Sequence, residues 1–75
     1  MHRQYFDKHG KKNQSVFDER LAEIHNMIEG ADYHRLFLIR DYLYHLNGVY
    51  RRCGKTYAAC EEEIRLVNSL MKNML

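Results

Sequence analysis

Residues 32–74 decide the fold of this chain, and they read DYHRLFLIRDYLYHLNGVYRRCGKTYAACEEEIRLVNSLMKNM. Apolar residues recur through this stretch at alternating steps of three and four, which is the spacing of a helix that packs along one side. We call this row the stripe, and its members are Leu36, Ile39, Leu43, Leu46, Tyr50, Cys53, Tyr57, Cys60, Ile64, Val67, Met71 and Met74. The stripe predicts helices that share one core.

Gly48 and Gly54 are the two positions at which a helix in this stretch could end. Each glycine inside a helix costs about 1 kcal/mol relative to alanine. We favour a break near Gly54, which gives helices over about 32–53 and 56–74, with Asp32 and Thr56 as their N-terminal caps. The alternative is a helical hairpin with one long heptad-patterned helix, which would need a dimer to cover its stripe.

Another helix precedes the stripe, over about 15–29. Four apolar residues fall on one of its faces, namely Phe17, Leu21, Ile24 and Ile28. Ser15 is the expected N-cap, and Gly30 follows the last apolar residue, where a left-handed residue often ends a helix. The expected fold is therefore all-α, a small three-helix bundle that forms one helical domain over residues 15–75.

Residues 1–14 form a basic N-terminal arm, which we expect to be flexible or to fold back through Tyr5 and Phe6. The formal net charge of the chain is only +2, but the arm carries four basic residues, Arg3, Lys8, Lys11 and Lys12. Basic residues between aromatic ones can hold phosphates and stack on bases. Together with a second basic cluster at Arg51 and Arg52, the arm predicts an alternative function, a small nucleic-acid-binding regulator.

The chain has 75 residues, which is too few to hide all of its apolar helix surface. A chain of this size buries only about 60% of the surface that it exposes when unfolded. The residues that we expect to stay on the surface and to bind a partner are Leu66, Leu70, Met74, Leu75, Leu38 and Tyr42. The leading hypothesis is a small helical protein–protein interaction module: an adaptor, regulator or chaperone-like accessory protein, which also forms a homodimer.

The sequence contains no readable catalytic or metal centre. Both cysteines, Cys53 and Cys60, lie in the stripe, and we interpret them as packing residues. The sequence has neither a Cys-x-x-Cys pair nor two histidines four residues apart. It therefore does not indicate a zinc site. Without a signal peptide or an apolar run of ~18 residues, we expect a cytoplasmic protein with no membrane partner. We also expect no cofactor and no enzymatic activity.

Arg40-Asp41-Tyr42-Leu43-Tyr44-His45 places an arginine and a histidine five residues apart on a predicted helix. This spacing resembles the Arg-x4-His motif of HEPN-family ribonucleases, which are helical and dimeric. The resemblance covers these six residues. It implies a second alternative function, RNA cleavage, in which Arg40 would stabilise the charged transition state and His45 would transfer a proton.

Overall fold

The computed structural model describes residues 3–75 of the chain. Its helices are α1 (Gln14–Asn26), α2 (Tyr33–Tyr50) and α3 (Ala58–Asn73), and a short 3-10 helix over Arg51–Cys53 continues α2. This part of the chain contains no β-strand, and none of its helices is both long enough and apolar enough to cross a membrane. The predicted three-helix bundle is confirmed.

The break between α2 and α3 lies at Gly54, the glycine at which we favoured a break. Gly54 has a φ of 78°, in the left-handed region that glycine enters without strain. Gly48, by contrast, lies inside α2, which continues through it without interruption. The alternative of one long helix is therefore wrong.

The core consists of the stripe and the inner face of α1. Every stripe residue is buried except Cys53, which is half-buried, and Met74, which is exposed. Phe17 and Ile24 of α1 complete the buried set. The helices α2 and α3 run antiparallel along the stripe. Leu43 of α2 contacts Cys60 of α3, and the earlier Arg40 contacts the later Asn68.

The predicted N-cap of α2 is confirmed, whereas that of α1 is wrong. The Asp32 carboxylate accepts a hydrogen bond from the Arg35 backbone N–H at 2.8 Å. Ser15 lies inside α1, which begins one residue earlier than predicted, and its hydroxyl donates to the Asn13 side chain at 2.9 Å. Asn13 holds the N-cap position, but its side chain makes no capping hydrogen bond, and its oxygen accepts from the Ser15 hydroxyl instead.

Two other helix ends also differ from the prediction. α1 ends at Asn26 and not at residue 29, because the Met27 N–H bonds to the Ile24 carbonyl three residues back and tightens the last turn. Gly30, with a φ of 72°, lies in the following loop. α3 begins at Ala58, so Thr56 precedes the helix and does not cap it.

The arm folds back on the bundle as a short hairpin over residues 5–13; the first two residues of the predicted arm lie outside the described residues. The Asp7 N–H donates to the Lys11 carbonyl at 2.9 Å across a three-residue loop. Gly10 takes the left-handed conformation that such a loop requires, with a φ of 78°. The Asp7 carboxylate accepts from two backbone N–H groups of the loop, each at 2.8 Å.

Phe17 joins this hairpin to all three helices. Its ring centroid lies 4.6 Å from that of Tyr5 and 5.9 Å from that of Phe6, which both belong to the arm. On its other side lie Tyr50, at 4.8 Å, and Tyr57, at 5.9 Å. We call these five residues the aromatic cluster. It closes the end of the bundle at which α1 and α3 begin and α2 ends.

Two hydroxyls of the aromatic cluster, those of Tyr50 and Tyr57, have polar partners. The Tyr50 hydroxyl donates to the Gln14 side chain and accepts from the Lys12 ammonium, both at 2.8 Å. The Tyr57 hydroxyl donates to the Asp18 carboxylate at 2.7 Å. Burial, together with this bond to a carboxylate, raises the pKa of the Tyr57 hydroxyl. The cluster therefore buries its rings without leaving these hydroxyls unpaired.

Candidate functional site

The last turns of α3 expose most of the residues that we predicted to bind a partner. Leu66, Leu70 and Met74 are four residues apart and form one row along the helix. Leu66 is 41% exposed and Met74 is 49% exposed, whereas Leu70 is half-buried. Leu75 follows the helix and is 91% exposed. We call these four residues the α3 patch.

The α3 patch is accessible because α1 is short. Glu63 lies on the same side of α3 as the row, and its carboxylate pairs with the His25 ring in the last turn of α1. α1 ends one residue later, at Asn26. Since α1 runs in the same direction as α3, it stops before it reaches the last turns of α3.

Leu38 and Tyr42 form a second, separate patch on α2. Leu38 is 43% exposed and Tyr42 is 41% exposed. The guanidinium of Arg20 on α1 lies 5.5 Å from the centroid of the Tyr42 ring, which is the range of a cation–π contact. α1 thus contacts α2 beside the second patch and α3 beside Glu63. It lies between the two predicted surfaces.

A further row of aromatic residues on α2 was not among the predicted partner-binding residues, and its members are Tyr33, Phe37 and Tyr44. They are between 41% and 51% exposed. Arg40 belongs to the same side of α2, where its guanidinium lies 5.0 Å from the Phe37 ring and donates to the Asn68 side chain on α3 at 3.0 Å. These aromatic residues are spaced by four and seven and do not belong to the stripe. This helical spacing is the sequence signal from which the row could have been predicted.

The two residues of the predicted ribonuclease motif do not meet within one chain. Arg40 is half-buried and is held by Asn68 and Phe37. His45 is exposed on the same helix. An α-helix turns by about 100° per residue, so two side chains that are five residues apart point about 140° away from each other. Arg40 and His45 therefore lie on different sides of α2. One subunit therefore offers no common surface on which both could contact a phosphodiester.

The structure brings the two predicted basic clusters together. A recess of about 320 Å³ lies between the hairpin and the segment after α2. Its lining residues are Gly10, Lys11, Lys12, Cys53 and Lys55. Arg51 and Arg52 are exposed beside it on the 3-10 helix, and Lys8 is exposed on the hairpin loop. We call the six basic residues Lys8, Lys11, Lys12, Arg51, Arg52 and Lys55 the basic end.

Three of the residues proposed for nucleic-acid binding are used elsewhere. Arg3 donates to Glu23 of α1 at 2.5 Å and does not belong to the basic end. This hydrogen bond raises the pKa of Arg3 and lowers that of Glu23. Tyr5 and Phe6, which we expected to stack on bases, pack instead on Phe17. Packing Tyr5 and Phe6 in the aromatic cluster removes apolar ring surface from water, which stabilises the folded chain.

The two cysteines lie in different surroundings. Cys60 is fully buried, and its thiol donates to the Leu43 carbonyl at 3.3 Å. Burial raises the pKa of the Cys60 thiol to about 11. Cys53 is half-buried in the wall of the recess, and both cysteines are free. Within residues 3–75, no three His, Cys, Asp or Glu side chains come close enough to hold a metal ion.

Comparison of the chain with protein-family models, with curated proteins and with solved structures finds no match. Two surfaces at opposite ends of the molecule have a marked composition: the apolar α3 patch and the basic end.

Proposed function

We propose that this chain is a small helical protein–protein interaction module that binds a helix of another polypeptide through the α3 patch. The observation that supports the proposal is the exposure of Leu66 and Met74, at 41% and 49%, two turns apart in one row with the half-buried Leu70 between them. Contiguous exposed apolar surface on a small protein is typical of an interface. Leu75, 91% exposed, extends this surface beyond the helix.

The form of the α3 patch fits a helical partner. Residues four apart on one helix make a ridge, and such ridges pack into the grooves of a second helix. Glu62, which is exposed four residues before Leu66, extends the same row with a negative charge. A partner helix with apolar residues at steps of three and four and a basic residue opposite Glu62 would complement the row.

A second copy of this chain is the partner that we propose first. Two α3 rows related by a twofold axis would cover each other, since such an interface uses the same surface on both subunits. An adaptor, regulator or chaperone-like accessory protein would bind its partner protein through the same row. Free cysteines suit the reducing cytoplasm that we propose as its location.

The proposal is tested by the association state of three proteins: the wild type, Leu66→Glu with Met74→Glu, and a matched control. The control is Arg65→Gln with Lys72→Gln, which changes the net charge by the same amount at exposed positions on another side of α3. Light scattering and sedimentation equilibrium should show dimers for the wild type. Because truncation of a central interface residue costs ~2 kcal/mol, we expect the dissociation constant to rise at least about 30-fold in the first variant. The control should change it little.

One combination of results would show that the proposal is wrong. The wild type would be a monomer, and the Leu66→Glu, Met74→Glu variant would match it in solubility and in the free energy of unfolding. A dimer that both variants disrupt equally would also contradict the α3 patch as the interface.

A further inference from the structure

We propose that the basic end binds the phosphodiester backbone of a nucleic acid, with Lys11, Lys12 and Lys55 holding a phosphate group in the recess beside Cys53. This site is separate from the α3 patch, because α3 begins near the recess and carries the patch on its last turns. Its test is therefore independent of the proposed protein partner.

Charge is strongly segregated along the chain. The segments 7–12 and 51–55 together carry six basic residues and one acidic residue, Asp7. The rest of the chain carries six basic and nine acidic residues. Folding places the two segments on either side of one recess. This local excess of positive charge would attract a polyanion, even though the net charge of the whole chain is only +2.

Among residues 3–75, no ion pair neutralises the positive charges of the basic end. The salt bridges formed among residues 3–75 involve Arg3, Arg20 and His25, and no member of the basic end. The one acidic residue of these segments, Asp7, has its carboxylate engaged by backbone N–H groups of the hairpin loop. The ammonium groups are therefore available to an anion from solution.

One lysine of the recess, Lys12, is held in place by Tyr50. The Lys12 ammonium donates to the Tyr50 hydroxyl at 2.8 Å and lies 4.7 Å from the centroid of its ring. Its other N–H donors stay available for a ligand, because an ammonium group has three. The hydrogen bond to Tyr50 raises the pKa of Lys12, which keeps the ammonium charged. Lysine is a common point-charge partner of phosphate in proteins.

The surroundings of the recess favour a nucleic acid over a membrane surface. Proteins that bind membrane surfaces combine basic residues with exposed apolar ones. The large exposed apolar residues described all lie within 33–44 and 66–75, away from the two basic segments. Aromatic platforms for bases are absent there as well, since Tyr50 and Tyr57 are buried. We therefore expect binding that depends on salt and not on base sequence.

Fluorescence anisotropy with a labelled single strand, and separately with a duplex, measures this binding. If three lysines contact phosphates of a single strand, log K should fall with log salt at a slope of about −2, or roughly 20-fold between ~50 and ~200 mM salt. Lys11→Glu with Lys55→Glu should weaken binding at least about tenfold and flatten this slope. Lys11→Gln with Lys55→Gln should do the same more weakly, if the first variant is poorly folded.

The matched control is Arg65→Glu with Lys72→Glu, which changes the net charge equally at exposed positions of α3. It should retain wild-type binding. Cys53 gives a second readout, because a thiol reagent should modify it well before the fully buried Cys60. A bound oligonucleotide should slow the modification of Cys53.

Three results would overturn the assignment. In one, both charge-reversal variants lose binding equally, which would show an effect of net charge alone. In another, the oligonucleotide binds but leaves the modification rate of Cys53 unchanged. In the third, the protein binds anionic lipid vesicles or polyglutamate but neither form of nucleic acid.

Discussion

The two ends of the bundle are built in different ways. At one end, the hairpin, the start of α1, the end of α2 and the start of α3 meet around Phe17 in the aromatic cluster. At the other end, α1 has already stopped, and the last turns of α3 expose the α3 patch. The contacts between aromatic rings are thus concentrated at the first end, whereas accessible apolar surface is concentrated at the second.

This difference shows how a very small chain can divide its tasks. Aromatic rings bury a large area per residue, so a few of them stabilise one end without many more residues. The Tyr50 and Tyr57 hydroxyls also connect α2 and α3 to the start of α1. The second end then needs less of its apolar surface for folding, and that surface is free to bind another chain.

The largest effect should come from removing the centre of the aromatic cluster. Phe17→Ala deletes a fully buried ring that contacts the hairpin and all three helices. Such substitutions cost about 3–5 kcal/mol, comparable with the whole stability of a small domain. Urea denaturation followed by circular dichroism measures the loss.

Phe37→Ala is the matched control for this substitution, because Phe37 is 43% exposed on α2. It should cost about 1 kcal/mol or less, as is usual for a surface position. Equal losses for the two phenylalanines would contradict the view that burial of Phe17 in the aromatic cluster stabilises the fold.

The next prediction concerns the pH dependence of the free energy of unfolding. It tests whether the Cys60 thiol and the Tyr57 phenol stay protonated in the folded chain. The pKa of Cys60 is about 11 in the folded chain, against an ordinary value of 9.0. As the pH rises, the Cys60 thiol therefore loses its proton at a lower pH in the unfolded chain than in the folded chain. The free energy of unfolding should fall by about 2 kcal/mol between roughly pH 9 and 11. The raised pKa of Tyr57 acts in the same direction above its ordinary value of 10.0.

Cys60→Ala separates the two groups in urea titrations at several pH values. The loss of stability with rising pH should become smaller in this variant. An equally steep loss without the Cys60 thiol would mean that burial of this group does not contribute.

Much of this architecture was predictable from the sequence, because the stripe has a strict period. Leu36 to Met71 could be assigned to one core, since steps of three and four repeat a helical face. The break at Gly54 followed from the cost of glycine inside a helix. Leu66 and Met74 could be selected because they lie beyond what a chain of 75 residues can bury.

The hairpin and the recess were harder to predict, because they depend on contacts between distant segments. Asp7 and Gly10 bracket a loop of a known hairpin type, and this local signal was missed. Without the hairpin, nothing in the sequence brings Lys11 and Lys12 next to Lys55. The use of Tyr5 in the core, and not on bases, also depends on where Phe17 lies in three dimensions.

A smaller effect should distinguish Gly48, which lies inside α2, from Gly54, which follows the 3-10 helix. Gly54→Ala forces alanine into a φ of 78° and should cost about 1–2 kcal/mol. Gly48→Ala should instead stabilise the chain by about 0.5–1 kcal/mol, since Gly48 is helical and an added Cβ meets nothing within 4 Å. Thermal denaturation of both variants measures these changes. Stabilisation by Gly54→Ala would mean that α2 and α3 can join into one helix.

The smallest effect on folding should come from the last two residues. Deleting Met74 and Leu75 removes side chains that are 49% and 91% exposed, so we expect the free energy of unfolding of the monomer to change by less than about 0.5 kcal/mol. The same deletion removes half of the α3 patch and should weaken dimerisation. Urea titration at low concentration and light scattering at high concentration separate these two consequences. A large loss of monomer stability would show that the exposed end supports the fold as much as the aromatic cluster does.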